Sequence, residues 1–248
     1  MKEIQKAFKE FTNSYYIQNE EYDINIKLKF DHSQRVAILG ENIARSESGF
    51  DSNTAYIASL LHDVGRFEQY RIYKSFNDSV SDNHGELGYR TLLSEHRLLD
   101  LIPESMQELV LACVRYHNAF EVPEELSDET KRYLHLVRDA DKIDIIGLFI
   151  NLIVEDELTE CLVHKLPITD RYTDAVAEKL INGEMIRSGE LQTATDLKLM
   201  LLSWFNDFEY QKGIEILKEM KLPERLRSTL PNDNVIDEVY KSVVGRIT

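Results

Sequence analysis

The sequence predicts an all-α protein, and three observations carry the prediction. Apolar residues recur at helical rather than strand spacing nearly throughout. Only ten glycines and five prolines punctuate 248 residues. No internal repeat or low-complexity linker divides the chain, so one domain is expected over 1–248, its residues from about 156 to 248 being helices that complete the fold. Helices are expected at about 2–18, 29–47, 53–63, 84–97, 104–118, 128–155, 171–184, 194–219 with a break near Gly213, and 234–245.

The opening stretch MKEIQKAFKEF spreads charge where a secretory signal needs an apolar run. In the helix at 29–47, His32 shares a face with Val36, Leu39 and Ile43, at offsets of four, seven and eleven. Asp51, Ser52 and Asn53 offer capping oxygens before TAYIASLL, whose buried face is marked by Ile57, Ala58 and Leu61 and which runs into His62 and Asp63. The stretch at 64–83 is long for a connection, which favours a functional loop. Leu87 and Leu92 can face inward on the next helix, and Pro103 suits the first turn of the one after it. There Val110, Cys113 and Val114 form a stripe that ends at His117.

Ser127 and Thr130 cap the long helix at 128–155, where Leu134, Val137, Asp141, Ile145 and Leu148 fall on one line. Its apolar part, IDIIGLFINLIV, is too short and too polar for a membrane span and is expected in the core. LLSWFNDFEY at 201–210 is expected to serve as core or as a homodimer interface, and no chemistry is assigned to residues 156–248.

Charge narrows the partners. With 29 Lys and Arg against 44 Asp and Glu the net charge is −15, which disfavours nucleic acid and anionic membrane, and no basic cluster offsets it. Cys113 and Cys161 lack CxxC spacing, so free thiols in a reduced, cytoplasmic setting are expected.

The polar residues on apolar faces need partners. An unpaired buried carboxylate at Asp141 would be costly enough to shift its own pKa. His32, His62, Asp63, His117 and Asp141 come from four helices, and one explanation serves them jointly: they meet at a cation. Taken singly, an inward histidine is more often a satisfied core residue, and Asp141 has Arg138 and Lys142 as alternative partners. Mixed imidazole and carboxylate ligands suit Mn, Fe, Co, Ni, Zn or Mg.

The ordered series His32, His62-Asp63 and RDADKID at 138–144 resembles the HD-domain superfamily of metal-dependent phosphohydrolases, with its H…HD…D motif. The resemblance spans roughly 28–150. It implies that His32, His62, Asp63 and Asp141 ligate one divalent metal. NHGELGYRTLL and VRYHNAF resemble segments of members that hold two, which adds His84 and His117 as ligands of a second ion and makes Asp63 the catalytic, bridging carboxylate. The HD-GYP branch carries a second histidine where this chain has Asn118, together with a GYP triplet absent here, which argues against cyclic-di-GMP as substrate.

Arg66 could hold a substrate phosphate with its guanidinium fork, the alternative being an ion pair with Glu68 or Asp78. Asn118 and Lys142 are further candidates for substrate contact. Phe67, Tyr70, Arg71, Tyr73, Lys74 and Phe76 would suit a lid over a nucleotide, although local packing is the commoner use of such a run. The function expected is hydrolysis of a small phosphorylated metabolite, a nucleotide, by metal-activated water. The alternatives are an HD-fold di-iron oxygenase and a catalytically idle metal- or nucleotide-binding module.

Overall fold

A computed structural model describes residues 1–155 and 166–247. The described residues contain helices and turns and no strand, as the apolar spacing predicts. The chain divides into two compact units, Met1–Asp144 and Ile145–Thr248.

The first unit contains α1 (Lys2–Asn13), α2 (Glu20–Ser46), α3 (Ser52–Leu61), α4 (Gly65–Tyr73), α5 (His84–Ser94), α6 (His96–Leu99) and α7 (Glu104–Tyr116). It also holds most of α8 (Asp128–Val154), within which the unit boundary falls. Helix α3 is its centre: every residue from Thr54 to Leu61 is buried, the mark of a helix surrounded by others. Asp51 caps it, its side chain accepting from the Thr54 amide at 2.7 Å. Helix α2 packs along α3 at close range, because a Cβ on Gly40 would stand 2.1 Å from Ser59 Oγ. Helix α5 packs against both α4 and α7. A Cβ on Gly65 would stand 2.2 Å from the His84 carbonyl and 2.4 Å from the Gly88 nitrogen, so only glycine admits the α4–α5 crossing.

The stretch at 64–83 is not a plain loop. Its first half is α4, which the periodicity missed because the helix buries Phe67, Gln69 and Tyr70 but carries no sustained apolar stripe. Gln69 is fully buried and holds the second half: its Nε2 donates to Asp78 Oδ1, Ser81 Oγ and the Asp82 carbonyl at 2.8, 2.7 and 3.1 Å. Helix α1 ends at Asn13 rather than near 18, and α2 starts at Glu20 rather than 29, where Asn19 caps it by accepting from the Tyr22 amide. Pro103 is the N-cap of α7, one residue before the first turn.

The second unit contains α9 (Asp174–Ile181), α10 (Ala194–Ser203), α11 (Gln211–Glu219), α12 (Leu222–Arg227) and α13 (Asn234–Val244). Buried Asp196 ties it together by accepting from the Thr173 amide and hydroxyl and from the Gln192 and Thr193 amides, at 2.7 to 3.0 Å. The break expected at Gly213 lies earlier: a 3₁₀ turn at Trp204–Asp207 separates α10 from α11, and Gly213 is buried inside α11. Leu201, Leu202 and Phe205 are core residues. Cys161 lies outside the described residues, while Cys113 is a buried free thiol. No described helix is long and apolar enough to cross a membrane.

Candidate metal centre

The site forms where helices end. His62 is the C-cap of α3 and Asp63 follows it; His84 is the first residue of α5; His117 is the C-cap of α7. His32 and Asp141 reach the same place from the middles of α2 and α8. Helix ends put side chains beside irregular backbone, and backbone carbonyls are then free to accept from imidazoles.

Each of the four histidines is anchored through Nδ1, two of them by backbone carbonyls and two by carboxylates. His62 and His117 donate to the carbonyls of Ser59 and Val114 at 2.7 and 2.9 Å. His32 donates to Asp144 Oδ2 at 2.7 Å, and His84 to Asp78 Oδ2 at 2.6 Å. With the proton on Nδ1, a neutral imidazole carries its lone pair on Nε2. The four Nε2 atoms all point inward. His32 Nε2 is 3.3 Å from His62 Nε2, and His84 Nε2 is 3.0 Å from His117 Nε2. Two lone pairs facing each other at such distances repel unless a cation or a proton lies between them.

Asp63 joins the two pairs. Its Oδ2 lies 3.5 Å from His32 Nε2 and 3.8 Å from His62 Nε2, and its Oδ1 lies 3.4 Å from His84 Nε2 and 3.5 Å from His117 Nε2. Each oxygen also meets one basic side chain: Lys29 Nζ is 2.9 Å from Oδ2, and Arg66 Nε is 3.4 Å from Oδ1. Asp141 belongs to the first pair, with Oδ1 at 3.1 Å from His32 Nε2 and 3.4 Å from His62 Nε2. That buried oxygen has no hydrogen-bond partner. His32, His62 and Asp141 form one group able to hold a metal ion, and His62, Asp63 and His117 another. The orphaned Asp141 oxygen, the paired Nε2 atoms and the absence of thiolate fit a divalent cation bound by nitrogen and oxygen.

Electrostatics divide the site. Burial, and after it Arg66, push the His84 pKa down to about 3, so His84 is neutral as a ligand must be. Burial and Lys29 act the same way on His32, but the carboxylates of Asp141, Asp144 and Asp63 outweigh them and raise it to about 10. Burial would raise Asp63, yet Lys29, His62, Arg66 and His117 hold it well below the usual carboxylate range. This end of the site draws positive charge.

Of the substrate-contact candidates, Arg66 sits beside Asp63 and its Nη1 donates to Gln69 Oε1, the Phe76 carbonyl and Asp78 Oδ1 at 2.8, 2.6 and 3.2 Å. The ion pair is therefore with Asp78, while Glu68 pairs with Arg71. Asn118 Nδ2 donates to Asp78 Oδ2 at 3.0 Å, supporting the carboxylate that orients His84. Lys142 is buried, 8% exposed, next to Asp141. In the aromatic run, Phe67 is fully buried against Phe8 and Phe11, and Tyr70 stacks on Phe76 with ring centroids 4.9 Å apart.

Sequence reasoning missed three residues that shape the site. Asp144 orients His32 and is gripped at both oxygens by Arg35, at 2.6 and 2.9 Å. Its signal was its place three residues after Asp141, on the same helix face. Lys29 stands three residues before His32 by the same rule. Asp78 gave no periodic signal, because it lies in a 3₁₀ turn.

Residues 30–146 match the family model described as HD domain, a span that holds all six candidate ligands. Searches of curated proteins and of solved structures found no match.

Proposed function

We propose, for a chain whose residues 30–146 match the HD-domain family model, that it hydrolyses a small phosphorylated metabolite, a nucleotide, at the centre built on Asp63. HD domains bind divalent metals and are in general metal-dependent phosphohydrolases. The observation that carries the reading is the convergence of four Nδ1-anchored histidines on the two oxygens of one buried carboxylate. In it, His32, His62, Asp63 and Asp141 would hold one ion, and His84 and His117, with Asp63, would hold a second. The chemistry supplied there when divalent metal is bound would be a lowered pKa of water and polarisation of phosphoryl oxygens.

The chain's own residues supply orientation and charge. Asp144 and Asp78 keep the Nε2 atoms of His32 and His84 aimed at Asp63, and such outer carboxylates fix imidazole tautomer and direction. Arg66 couples Asp63 to Asp78 and so links the shared carboxylate to one of these orienting groups. Asp141, 16% exposed at its side chain, is the most accessible of the carboxylates around His32.

The test is a screen of purified, metal-loaded protein against nucleoside mono-, di- and triphosphates, cyclic nucleotides and alarmones. Phosphate or nucleotide release from at least one class, abolished by Asp63→Ala, is the expected result. No release from any of them with metal demonstrably bound overturns the reading.

A further inference from the structure

We propose that Lys29 is the residue that receives the substrate's phosphoryl group, exchanging the carboxylate of Asp63 for a phosphate oxygen. This rests on the phosphohydrolase reading and names the residue that recognises the anion.

Lys29 lies on α2 one turn before His32, on the face that looks into the site. Its side chain is 13% exposed, between the buried ligands and solvent. Of its three N–H donors, one meets Asp63 Oδ2 at 2.9 Å, and no further hydrogen-bond acceptor is met among the described residues. The ammonium also lies 5.3 Å from the centre of the Phe76 ring, a contact that tolerates the charge without fixing its direction. The other basic groups at the centre are engaged differently. Arg66 is held at Nη1 by three acceptors, and Arg35 grips Asp144 with both ends of its fork.

Charge decides what Lys29 does next. Asp63 Oδ2 faces Lys29 and the His32–His62 pair together. Once a divalent cation draws on that oxygen, the ammonium loses most of its counter-charge and stands close to a second positive centre. A partly buried lysine in that position is stabilised by an anion that can touch both, and a phosphoryl group is such an anion. Two donors without a protein acceptor among the described residues, on a partly exposed ammonium, suit a terminal phosphoryl group, which presents several oxygens at once. Lys29 also lies just outside the residues 30–146 that match the HD family, so this assignment comes from geometry in this chain.

The experiment titrates inorganic phosphate into the manganese-loaded full-length protein by calorimetry, comparing wild type with Lys29→Arg and Lys29→Gln, with ion content measured in each. The proposal expects Lys29→Gln to keep its ions and to bind phosphate about ten- to a hundredfold more weakly, as for loss of a charged hydrogen bond. Lys29→Arg, which keeps the charge, should stay within a few-fold of wild type. Phosphate binding within twofold of wild type in Lys29→Gln, or no phosphate binding by wild type, overturns it. Loss of the ions from Lys29→Gln also overturns it, since Lys29 would then hold the centre together. Lys29-dependent phosphate binding without hydrolysis of any ester would sink the phosphohydrolase reading and leave Lys29 as an anion-binding residue. Hydrolysis with unchanged phosphate binding in Lys29→Gln would do the reverse.

Discussion

His84 and His117 face each other with their Nε2 atoms 3.0 Å apart, while the Nδ1 of each donates to an oxygen acceptor. Their chain separation of 33 residues is closed by α5 packing on α7. Both lie against Asp63 Oδ1 and outside the His32, His62 and Asp141 group, and on the proposed reading they hold a second ion. Elemental analysis of anaerobically prepared protein should therefore approach two ions per chain. His84→Ala or His117→Ala should lose about one ion, and Asp63→Ala most of both. Saturation at one ion, unchanged in His84→Ala, would reduce the centre to a mononuclear one.

Metal removal should destabilise the fold. A ligand that binds only the folded state adds RT ln(1 + [L]/Kd), about 2.7 kcal/mol at a hundredfold excess over Kd. Treatment with a strong chelator should lower the melting temperature by several degrees, and adding back manganese or zinc should restore it. An unchanged melt after verified removal would mean that the buried histidines and carboxylates satisfy one another unaided.

The stripped protein should have a pH profile of its own. His32 rises from an ordinary 6.5 to about 10 in the fold, so its contribution is fully present below about pH 6.5 and is lost as pH climbs towards 10. Asp63 and Asp141 lie well below their ordinary 3.8, so theirs is present above that value and lost as pH falls below it. Scanning calorimetry on chelated protein should place maximal stability between these limits. The increment added by metal should instead grow from pH 6 to 9, because a ligating His32 must first give up its proton. Parallel profiles with and without metal would show that His32 is not a ligand.

Gly65→Ala tests the scaffold separately from the chemistry. Its Cβ would stand 2.2 Å from the His84 carbonyl and 2.4 Å from the Gly88 nitrogen, both backbone atoms, so the helices must part. Overpacking of this kind costs roughly 1–3 kcal/mol. The variant should melt lower and should also lose the ion held by His84 before the one held by His32. A Gly65→Ala protein with unchanged melt and full metal content would contradict the α4–α5 crossing.

The sequence by itself determined the helical class, because 3.6-residue periodicity is a local property that survives without knowledge of neighbours. It also determined the inward placement of His32, His117 and Asp141 and of at least one of His62 and Asp63, since a polar residue on an apolar stripe stands out whatever the stripe packs against. The resemblance of HGELG to a known segment added His84, which no periodicity marked. What it could not determine is how Asp63 divides its two oxygens between two histidine pairs, because that depends on how α2, α3, α5 and α7 pack relative to one another. Helix α4 was invisible for a related reason: Gln69 is buried and Arg66 half-buried there only because the chain at 76–82 returns to accept their hydrogen bonds. Asp78, Asp144 and Lys29 acquire their roles only through partners 6, 112 and 34 residues away. Spacing along one helix shows which face a side chain occupies; which atom it meets there is decided by the helices packed against that face.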